Sequence, residues 1–233
     1  MTVAEEETLL RGGRTTAEVV RIGDTVRRPM SSQSAFVHSL LGHLEGRGFA
    51  GAPRFLGVDS SGREILSYLP GEVPNELGEF TRSQLVSAAL LLRELHDATT
   101  DYQLREGCEV VCHGDASPCN CVFVDGRPVA FIDFDAARPG RRRDDVGYAA
   151  WLWLDIGRSN LAPHSQGRRI AEFFLAYGAI EVADSLPAVL DAQTELSRRP
   201  NTPSATKRWA QRCRAWVEQH LAELTRAVNA PTV

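Results

Sequence analysis

The chain has 233 residues, of which 43% are apolar and 24% are charged, and its formal net charge is −4 at pH 7. A chain of this length can bury a sizeable core, either as one domain or as two closely joined lobes. It has no apolar run of the roughly 18 residues that a membrane span requires, and an acidic balance argues against general nucleic-acid binding. The acidic N-terminus lacks the basic and apolar regions of a signal peptide. We therefore expect a cytoplasmic protein with no membrane or nucleic-acid partner, and the oligomeric state stays open.

The first seventy residues predict a small sheet with one helix. Two strand-like runs, 17–22 and 25–28, flank a tight turn at Gly23-Asp24. Pro29 ends the second run, because proline has no amide to donate to a sheet.

A helix follows over about 31–45, with one of its opening serines as the cap and a pair of strands after it over 55–58 and 64–68. The helix carries an apolar stripe of Val37, Leu40, Leu41 and Leu44.

The rest of the chain predicts mostly helices. Thr81 and Gln84 form a capping box at the start of the first of them. Three short strands then cover 108–112, 121–124 and 129–132. Together with the N-terminal sheet, these elements predict an α+β fold with a β-rich first part and a mainly helical second part.

Three more helices are predicted beyond the short strands. The first is capped by Asp144 or Asp145, the second covers 165–177 and ends at Gly178, and the last carries an aromatic and apolar stripe over 209–224. These stripes predict core packing and no cofactor role.

The five cysteines raise two other possibilities. A disulfide framework is disfavoured, because the count is odd and nothing signals secretion. A zinc site from Cys112, His113, Cys119 and Cys121 lacks the paired C-x-x-C spacing of structural zinc centres. We interpret Cys112 and Cys121 as small core residues on the strands beside a loop.

That loop carries the chemistry of the chain. It has the sequence His113-Gly114-Asp115-Ala116-Ser117-Pro118-Cys119-Asn120, and Asp133 follows thirteen residues later at the end of an apolar run. Phosphoryl transfer requires one carboxylate to orient the attacking hydroxyl and accept its proton, and two oxygen ligands for Mg²⁺. The spacing predicts Asp115 as the catalytic base and Asn120 and Asp133 as metal ligands. The alternative is a polar loop between two buried strands.

At these residues the chain resembles the aminoglycoside phosphotransferase-like kinases, whose loop carries H-G-D where protein kinases carry H-R-D. Weaker likenesses are Leu-Pro-Gly at 69–71, Leu-Arg-Glu-Leu-His at 92–96, and Asp145. The resemblance implies a two-lobed protein-kinase-like fold with ATP and magnesium between the lobes. The implied division is an N-terminal nucleotide-binding lobe over 1–69 and a C-terminal catalytic and substrate lobe over 70–233.

Three further residues are expected to support the site or the fold. In this family's loop His113 is expected to brace the backbone, rather than to act as an acid or base. Asp135 stands where protein kinases have the glycine of D-F-G, and whether it assists the metal shell stays open. His96, at the end of a helix, is interpreted as structural.

The chain departs from the kinase pattern at the lysine that grips the ATP phosphates. Its only lysine is Lys207, far along the chain, and Arg27 and Arg28 stand where the phosphate-binding residue is expected. An arginine can bind phosphate with two parallel hydrogen bonds. Matching 25–27 to the last three residues of V-A-I-K predicts Arg27 on the cleft face and Arg28 towards solvent.

Two other kinase features are missing as well. The acidic partner of that lysine is replaced at the likely positions by Ser34, Val37 and His38. No G-x-G-x-x-G covers the phosphates, and Gly12-Gly13 is a weak candidate for a phosphate loop.

The hinge between the predicted lobes is expected to hold the adenine ring. The strand 64–68 runs into Pro70-Gly71, and matching to the family's hinge places an acceptor carbonyl at Ser67 and a donor amide at Leu69. The alternative is an ordinary edge strand.

Three function classes fit the residues: a small-molecule kinase, a kinase acting on Ser or Thr of a peptide or protein, and a pseudokinase. The small-molecule kinase is the leading hypothesis, and retention of Asp115, Asn120 and Asp133 together argues against the pseudokinase, because an inactive site has no chemical need for all three. A polycationic aminoglycoside would need a cluster of carboxylates, yet 155–199 has six acidic residues against five basic ones. Asp155 is the best-placed acidic candidate. We expect little turnover of aminoglycosides, and better substrates among less cationic hydroxylated metabolites or peptides.

Overall fold

The computed structural model of the chain describes residues 7–10, 19–158 and 160–230. Its N-terminal part is an antiparallel sheet with the strand order β1-β2-β3-β5-β4 and one helix, α1, packed against it. The bounds are β1 Thr8–Leu9, β2 Val20–Ile22, β3 Thr25–Pro29, α1 Ser34–Gly46, β4 Phe55–Val58 and β5 Arg63–Ser67.

The predicted hairpin and helix of this part are confirmed. Gly23 has φ +56° in the turn between β2 and β3, a conformation that glycine adopts without steric cost. The predicted apolar stripe of α1 is buried, with Val37 and Leu44 each 1% exposed. Gly12-Gly13 and the beginning of the predicted run 17–22 lie outside the described residues.

The chain leaves the sheet at Pro70-Gly71 and joins the C-terminal part directly. The amide of Glu72 donates to the carbonyl of Phe123 over 2.9 Å, and the Phe123 amide donates back over 2.7 Å. Gly71 has φ +149°, and a Cβ there would lie 2.5 Å from the Phe123 carbonyl oxygen. Only glycine fits this connection. The connection attaches the end of the N-terminal sheet to the strand that contains Phe123 and follows the loop 113–120.

The C-terminal part consists of six helices and two small two-stranded sheets, β6 with β9 and β7 with β8, within the ranges described. The bounds are α2 Arg82–Ala98, β6 Val110–Cys112, β7 Cys121–Val124, β8 Arg127–Phe131, β9 Arg138–Gly140, α3 Arg142–Trp153, α4 Pro163–Tyr177, α5 Ser185–Arg198, α6 Ser204–Gln219 and α7 Leu221–Val228.

Several predicted helix ends are confirmed and one is wrong. Thr81 and Gln84 form the capping box of α2, and Gly178 ends α4 with φ +79°. The cap of α3 is Arg141, however, and Asp144 and Asp145 lie within its first turn. The difference matters because the Asp145 carboxylate is directed into the catalytic loop instead of capping its own helix.

The sequence patterns missed α5 and merged α6 with α7. The buried face of α5 carries Leu186, Val189 and Leu196, but Ser185 and Gln193 are buried on it as well, so its apolar stripe is mixed with polar residues. It packs closely on α3, because a Cβ at Gly147 would lie 2.5 Å from the Ala188 carbonyl oxygen. The predicted last helix is interrupted at His220, whose φ and ψ of −105° and 11° leave the helical region.

Among the residues that the structure covers, none of the helices combines the length and apolarity of a transmembrane segment.

Candidate active site

The candidate catalytic loop, residues 113–120, is fixed by Asp145 on α3. Its Oδ2 accepts a hydrogen bond from the His113 amide over 2.8 Å, and its Oδ1 accepts one from the Gly114 amide over 2.9 Å. His96 of α2 approaches Oδ2 through Nε2 at 3.0 Å. Burial alone would raise the pKa of Asp145, but these bonds and the neighbouring imidazoles lower it below its ordinary value. The carboxylate therefore fixes the loop as an anion.

Gly114 allows the candidate catalytic loop, 113–120, to pack directly on the segment 132–137, which carries Asp133 and is called the metal loop below. It has φ +77°, and a Cβ at this position would overlap the carbonyl oxygen of Ala136. A side chain would separate the two loops, which explains why glycine stands between His113 and Asp115.

His113 lies inside the protein as a brace between the two loops. Its Nε2 donates to the Ile132 carbonyl over 3.1 Å, and its Nδ1 accepts the Asp115 amide over 3.3 Å. Both contacts are made by one neutral tautomer, and burial lowers the pKa of His113. This geometry agrees with the predicted bracing role.

Both carboxylate oxygens of Asp115 have a partner. Oδ2 accepts from Asn120 Nδ2 over 2.9 Å, and Oδ1 accepts from the hydroxyl of Tyr148 over 3.1 Å. Burial raises the pKa of Asp115, whereas His113 and these two hydrogen bonds lower it. The carboxylate is thus held in a fixed orientation, in surroundings that favour proton uptake.

Asn120 and Asp133 are brought together by the backbone. The Ile132 amide donates to the Asn120 carbonyl over 2.9 Å, and Asp133 follows with φ +62°, an uncommon conformation for a residue with a side chain. Because Asn120 Nδ2 is bonded to Asp115, its Oδ1 remains for a cation. An amide oxygen and a carboxylate form a hard-oxygen donor set that fits Mg²⁺.

The predicted orientations of the two arginines on β3 are wrong. Arg28 is 7% exposed, and its guanidinium reaches the metal loop, with Nη1 3.2 Å from Asp133 Oδ1 and Nη2 2.6 Å from Asp135 Oδ1. Arg27 lies on the opposite face, where Nη1 is 2.5 Å from Thr25 Oγ1. Alternate residues of a strand face opposite sides, so a one-residue slip in the assumed register exchanged the two.

Arg28 has a buried acidic partner, which lies on a strand and not on the helix where the kinase pattern places it. Glu64 on β5 stands opposite Arg28 in the strand register, and its Oε1 lies 2.6 Å from Arg28 Nε. Its Oε2 lies 2.6 Å from Nε2 of His38 on α1. Burial would lower the pKa of Arg28, but Asp135, Glu64 and Asp133 raise it above its ordinary value, so the guanidinium stays charged.

The hinge residues have the geometry of a strand edge. The Tyr68 amide donates over 2.8 Å to the carbonyl of Asp24, the residue before β3, so it faces β3. Successive backbone groups of a strand alternate in direction, so those of Ser67 point to the other side. The Ser67 amide is bonded there to the Arg54 carbonyl at 2.9 Å. The Leu69 amide has no hydrogen-bond partner among the residues described.

Asp155 lies apart from this constellation. It follows α3 with φ +46°, its Oδ2 is 3.8 Å from Arg158 Nε, and burial raises its pKa. No hydrogen bond or ion pair links it to the catalytic loop within the described part of the chain. Its role towards an acceptor stays a prediction.

A charged groove of about 470 Å³ opens between α3 and α5. Arg138 connects it to the loops, with Nη2 3.4 Å from Glu195 and Nη1 3.5 Å from the Ala136 carbonyl beside Gly114. The lining combines three arginines with three carboxylates and one threonine: Arg141, Arg198, Arg199, Asp144, Asp191, Glu195 and Thr194.

Sequence reasoning missed Tyr148, Glu64 and the function of Asp145. Tyr148 was detectable once Asp145 was placed on α3, because residues three apart share a helix face. Glu64 carried no local signal, since its partnership with Arg28 depends on the pairing of strands 36 residues apart.

Comparisons with known proteins agree with this fold. Residues 101–185, which contain both loops, match the model of the phosphotransferase enzyme family. The trifolitoxin immunity protein of Rhizobium leguminosarum bv. trifolii is 38% identical over 174 residues, which is 68% of this chain and 66% of that protein. The chain therefore spans just under two thirds of this relative's length.

Solved structures share the fold across most of the chain. Plasmodium vivax ethanolamine kinase has a TM-score of 0.59 at 11% identity, over 96% of this chain and 82% of that one. The ternary complex of APH(2")-IIa with streptomycin and ATP has 0.57 at 15% identity, over 83% and 84%. The fold is therefore that of the protein-kinase-like phosphotransferases, with a β-rich N-terminal part and a mainly helical C-terminal part. Over residues 101–185 the chain is similar to the phosphotransferase enzyme family.

Proposed function

We propose that the protein uses ATP and Mg²⁺ to phosphorylate a hydroxyl group of a small molecule. The observation that carries this proposal is the convergence of Asp115, Asn120 and Asp133 on one surface of two packed loops, linked by hydrogen bonds of 2.9 Å from Asn120 to Asp115 and from Ile132 to Asn120. A base beside two hard-oxygen ligands is the arrangement that phosphoryl transfer requires.

In the proposed reaction Asp115 orients the acceptor hydroxyl and takes its proton. The acceptor oxygen forms a bond to the γ-phosphorus, and the bond from that phosphorus to the β–γ bridging oxygen breaks, which leaves ADP. Asn120 and Tyr148 fix the two oxygens of Asp115, so the carboxylate does not rotate away from the acceptor. Its buried position, which raises its pKa, increases its ability to accept a proton.

Asn120 and Asp133 would hold Mg²⁺ through the free amide oxygen and the carboxylate. When bound, the metal neutralises charge on the phosphates. Arg28 lies beside the same carboxylate and adds a second positive charge.

We place the adenine ring against the backbone of Ser67 and Leu69. The Leu69 amide, two residues after Ser67, has no hydrogen-bond partner among the residues described and is available to a ligand. The chain turns immediately afterwards at Gly71, which fixes this backbone close to the C-terminal part.

For the acceptor we propose a hydroxylated compound that is not a polycation. The groove beside the loops has as many arginines as carboxylates. A polycation would meet Arg138 and Arg199 on the two sides of Glu195, which disfavours aminoglycosides.

The name of the Rhizobium relative favours a second, narrower possibility. That protein is a trifolitoxin immunity protein, and its match covers 68% of this chain. We infer that the acceptor is a toxic compound, which this chain would inactivate by phosphorylating one of its hydroxyl groups.

An acceptor screen with γ-labelled ATP tests both proposals. The panel would contain amino alcohols, sugars, macrolides, hydroxylated peptide toxins and, as the disfavoured class, aminoglycosides. Label transfer to a weakly cationic hydroxyl compound supports the proposal, and efficient transfer to aminoglycosides contradicts the acceptor class. A second test expresses the protein in a bacterium that is sensitive to a compound which the protein phosphorylates. Protection of the cells against that compound would support the toxin hypothesis over a metabolic one.

A further inference from the structure

Arg28 connects the N-terminal sheet to the metal loop through three carboxylates. Its Nε is 2.6 Å from Glu64, and its two terminal nitrogens are 3.2 Å and 2.6 Å from Asp133 and Asp135. Only the first contact lies within the sheet. A cation needed solely to neutralise Glu64 would have no reason to direct its terminal nitrogens at Asp133, the proposed metal ligand, and at Asp135 beside it.

Glu64 is held on its other side by His38. The Glu64 side chain is 1% exposed, and its second oxygen is 2.6 Å from His38 Nε2. The His38 ring stacks on Phe55 of β4, with ring centroids 3.7 Å apart. Sheet and helix thus fix both oxygens of this carboxylate, and a buried carboxylate is retained only when its charge is compensated in this way.

The bond from Nε to Glu64 fixes the plane of the Arg28 guanidinium. The two terminal nitrogens then point from the sheet to Asp133 and Asp135 on the metal loop. If Asp133 holds the Mg²⁺ ion that neutralises the phosphates, bound ATP would have its phosphates next to this carboxylate. The two terminal nitrogens could then bind phosphate oxygens side by side, as guanidinium groups do.

We propose that Glu64 and His38 are positioning residues that hold Arg28 as the ligand of the ATP phosphates. This inference rests on the proposed phosphotransferase function. Together the three residues take over the task of the lysine and helix glutamate of protein kinases, with the acid supplied by β5 and the helix contributing a histidine.

The experiment is a double-mutant cycle on the affinity for Mg-ATP, measured by calorimetry on the full chain, with Arg28→Ala, Glu64→Gln and the double variant. Arg28→Ala is expected to weaken binding about tenfold or more, because it removes charge-assisted bonds. Glu64→Gln should weaken it several-fold, and the double variant should bind no worse than Arg28→Ala. Glu45→Gln on the exposed side of α1 is the matched control and should leave the affinity unchanged.

His38 gives an independent test if Glu64→Gln unfolds the protein, as thermal unfolding would reveal. His38→Gln keeps a hydrogen-bond donor and should retain most of the affinity, whereas His38→Ala should lose it in parallel with Glu64→Gln. In His38→Ala and in Glu64→Gln the apparent KM for ATP should rise much more than kcat falls, whereas both constants should change little in His38→Gln.

Two results would overturn the inference. One is that Glu64→Gln weakens Mg-ATP binding by the same factor with and without Arg28, which would show that Glu64 acts independently of it. The other is an unchanged affinity in a folded Glu64→Gln variant. Either would leave the proposed function standing, whereas a wild-type protein that does not bind Mg-ATP would remove both.

Discussion

The hydroxyl of Tyr148 donates a hydrogen bond to Oδ1 of Asp115 over 3.1 Å, so the predicted base is oriented by a helix residue as well as by its own loop. Tyr148 lies one turn after Asp145, which binds the backbone of the same loop. One face of α3 therefore positions both the loop and its functional side chain.

Replacing Tyr148 with Phe should slow phosphoryl transfer without weakening ATP binding. A hydrogen bond to a charged group contributes about 1.5–3 kcal/mol, so we expect kcat to fall about tenfold or more. The tyrosine lowers the pKa of Asp115, so its loss should move the acidic limb of the kcat profile to higher pH. Tyr102→Phe is the matched control, because the Tyr102 hydroxyl is buried without a partner in the described structure. An acidic limb at the wild-type position would contradict the role of Tyr148.

Loss of the metal ligands should abolish the magnesium dependence of nucleotide binding. Asp133→Asn removes the charge and Asn120→Ala removes the amide oxygen that together fit the ion. Calorimetry with ATP, with and without magnesium, measures the effect. Asp24→Asn, whose side chain is 99% exposed, should behave as wild type. If magnesium still strengthened ATP binding in both site variants, the ion would have to lie elsewhere.

The two arginines of β3 should differ sharply. Arg28→Ala removes the guanidinium beside Asp133 and should raise the apparent KM for ATP about tenfold or more. Arg27→Ala removes a side chain on the other face, near Thr25 and Asp59, and should have a much smaller effect. Steady-state kinetics with varied ATP would show the ranking, and the reverse order would mean that phosphates approach the opposite face of β3.

Asp145→Asn should destabilise the protein strongly, because the buried carboxylate accepts two loop amides and contacts His96. Breaking a buried ionic network typically costs about 3–5 kcal/mol, which urea unfolding would measure. The pKa of Asp145 is lowered in the folded state. Its contribution is therefore complete above the ordinary Asp pKa, and it disappears as the pH falls through the lower folded value.

The difference between wild type and Asp145→Asn should thus be constant near neutral pH and narrow below about pH 4, where the unfolded-state carboxyl takes up its proton. Asp144→Asn, one residue earlier on the same helix, changes a partly exposed ion pair and should cost less than about 1 kcal/mol. Equal losses in the two variants would argue that Asp145 has no special contact with the loop.

The sequence predicted the features that depend on local patterns. The capping box of Thr81 and Gln84 and the buried stripe of α1 follow from spacing within a few residues. The family resemblance, too, rests on motifs within one loop. Contacts between distant strands were not accessible in this way. The side of β3 that carries the proposed phosphate ligand depends on the pairing of Arg28 with Glu64, and a register error of one residue exchanges Arg27 and Arg28. Helix α5 was missed although its buried face carries Leu186, Val189 and Leu196, because buried Ser185 and Gln193 interrupt that apolar stripe.

Transfer of label from γ-labelled ATP to an acceptor hydroxyl, compared between wild type and Asp115→Ala, tests the central claim most directly. We predict magnesium-dependent transfer by the wild type. In Asp115→Ala, transfer should fall about 10²–10⁴-fold, which is the usual contribution of a general base. The affinity for ATP should stay nearly unchanged. Asp115→Ala retaining more than about a tenth of wild-type transfer, against that expected contribution, would contradict the assignment of Asp115 as the base.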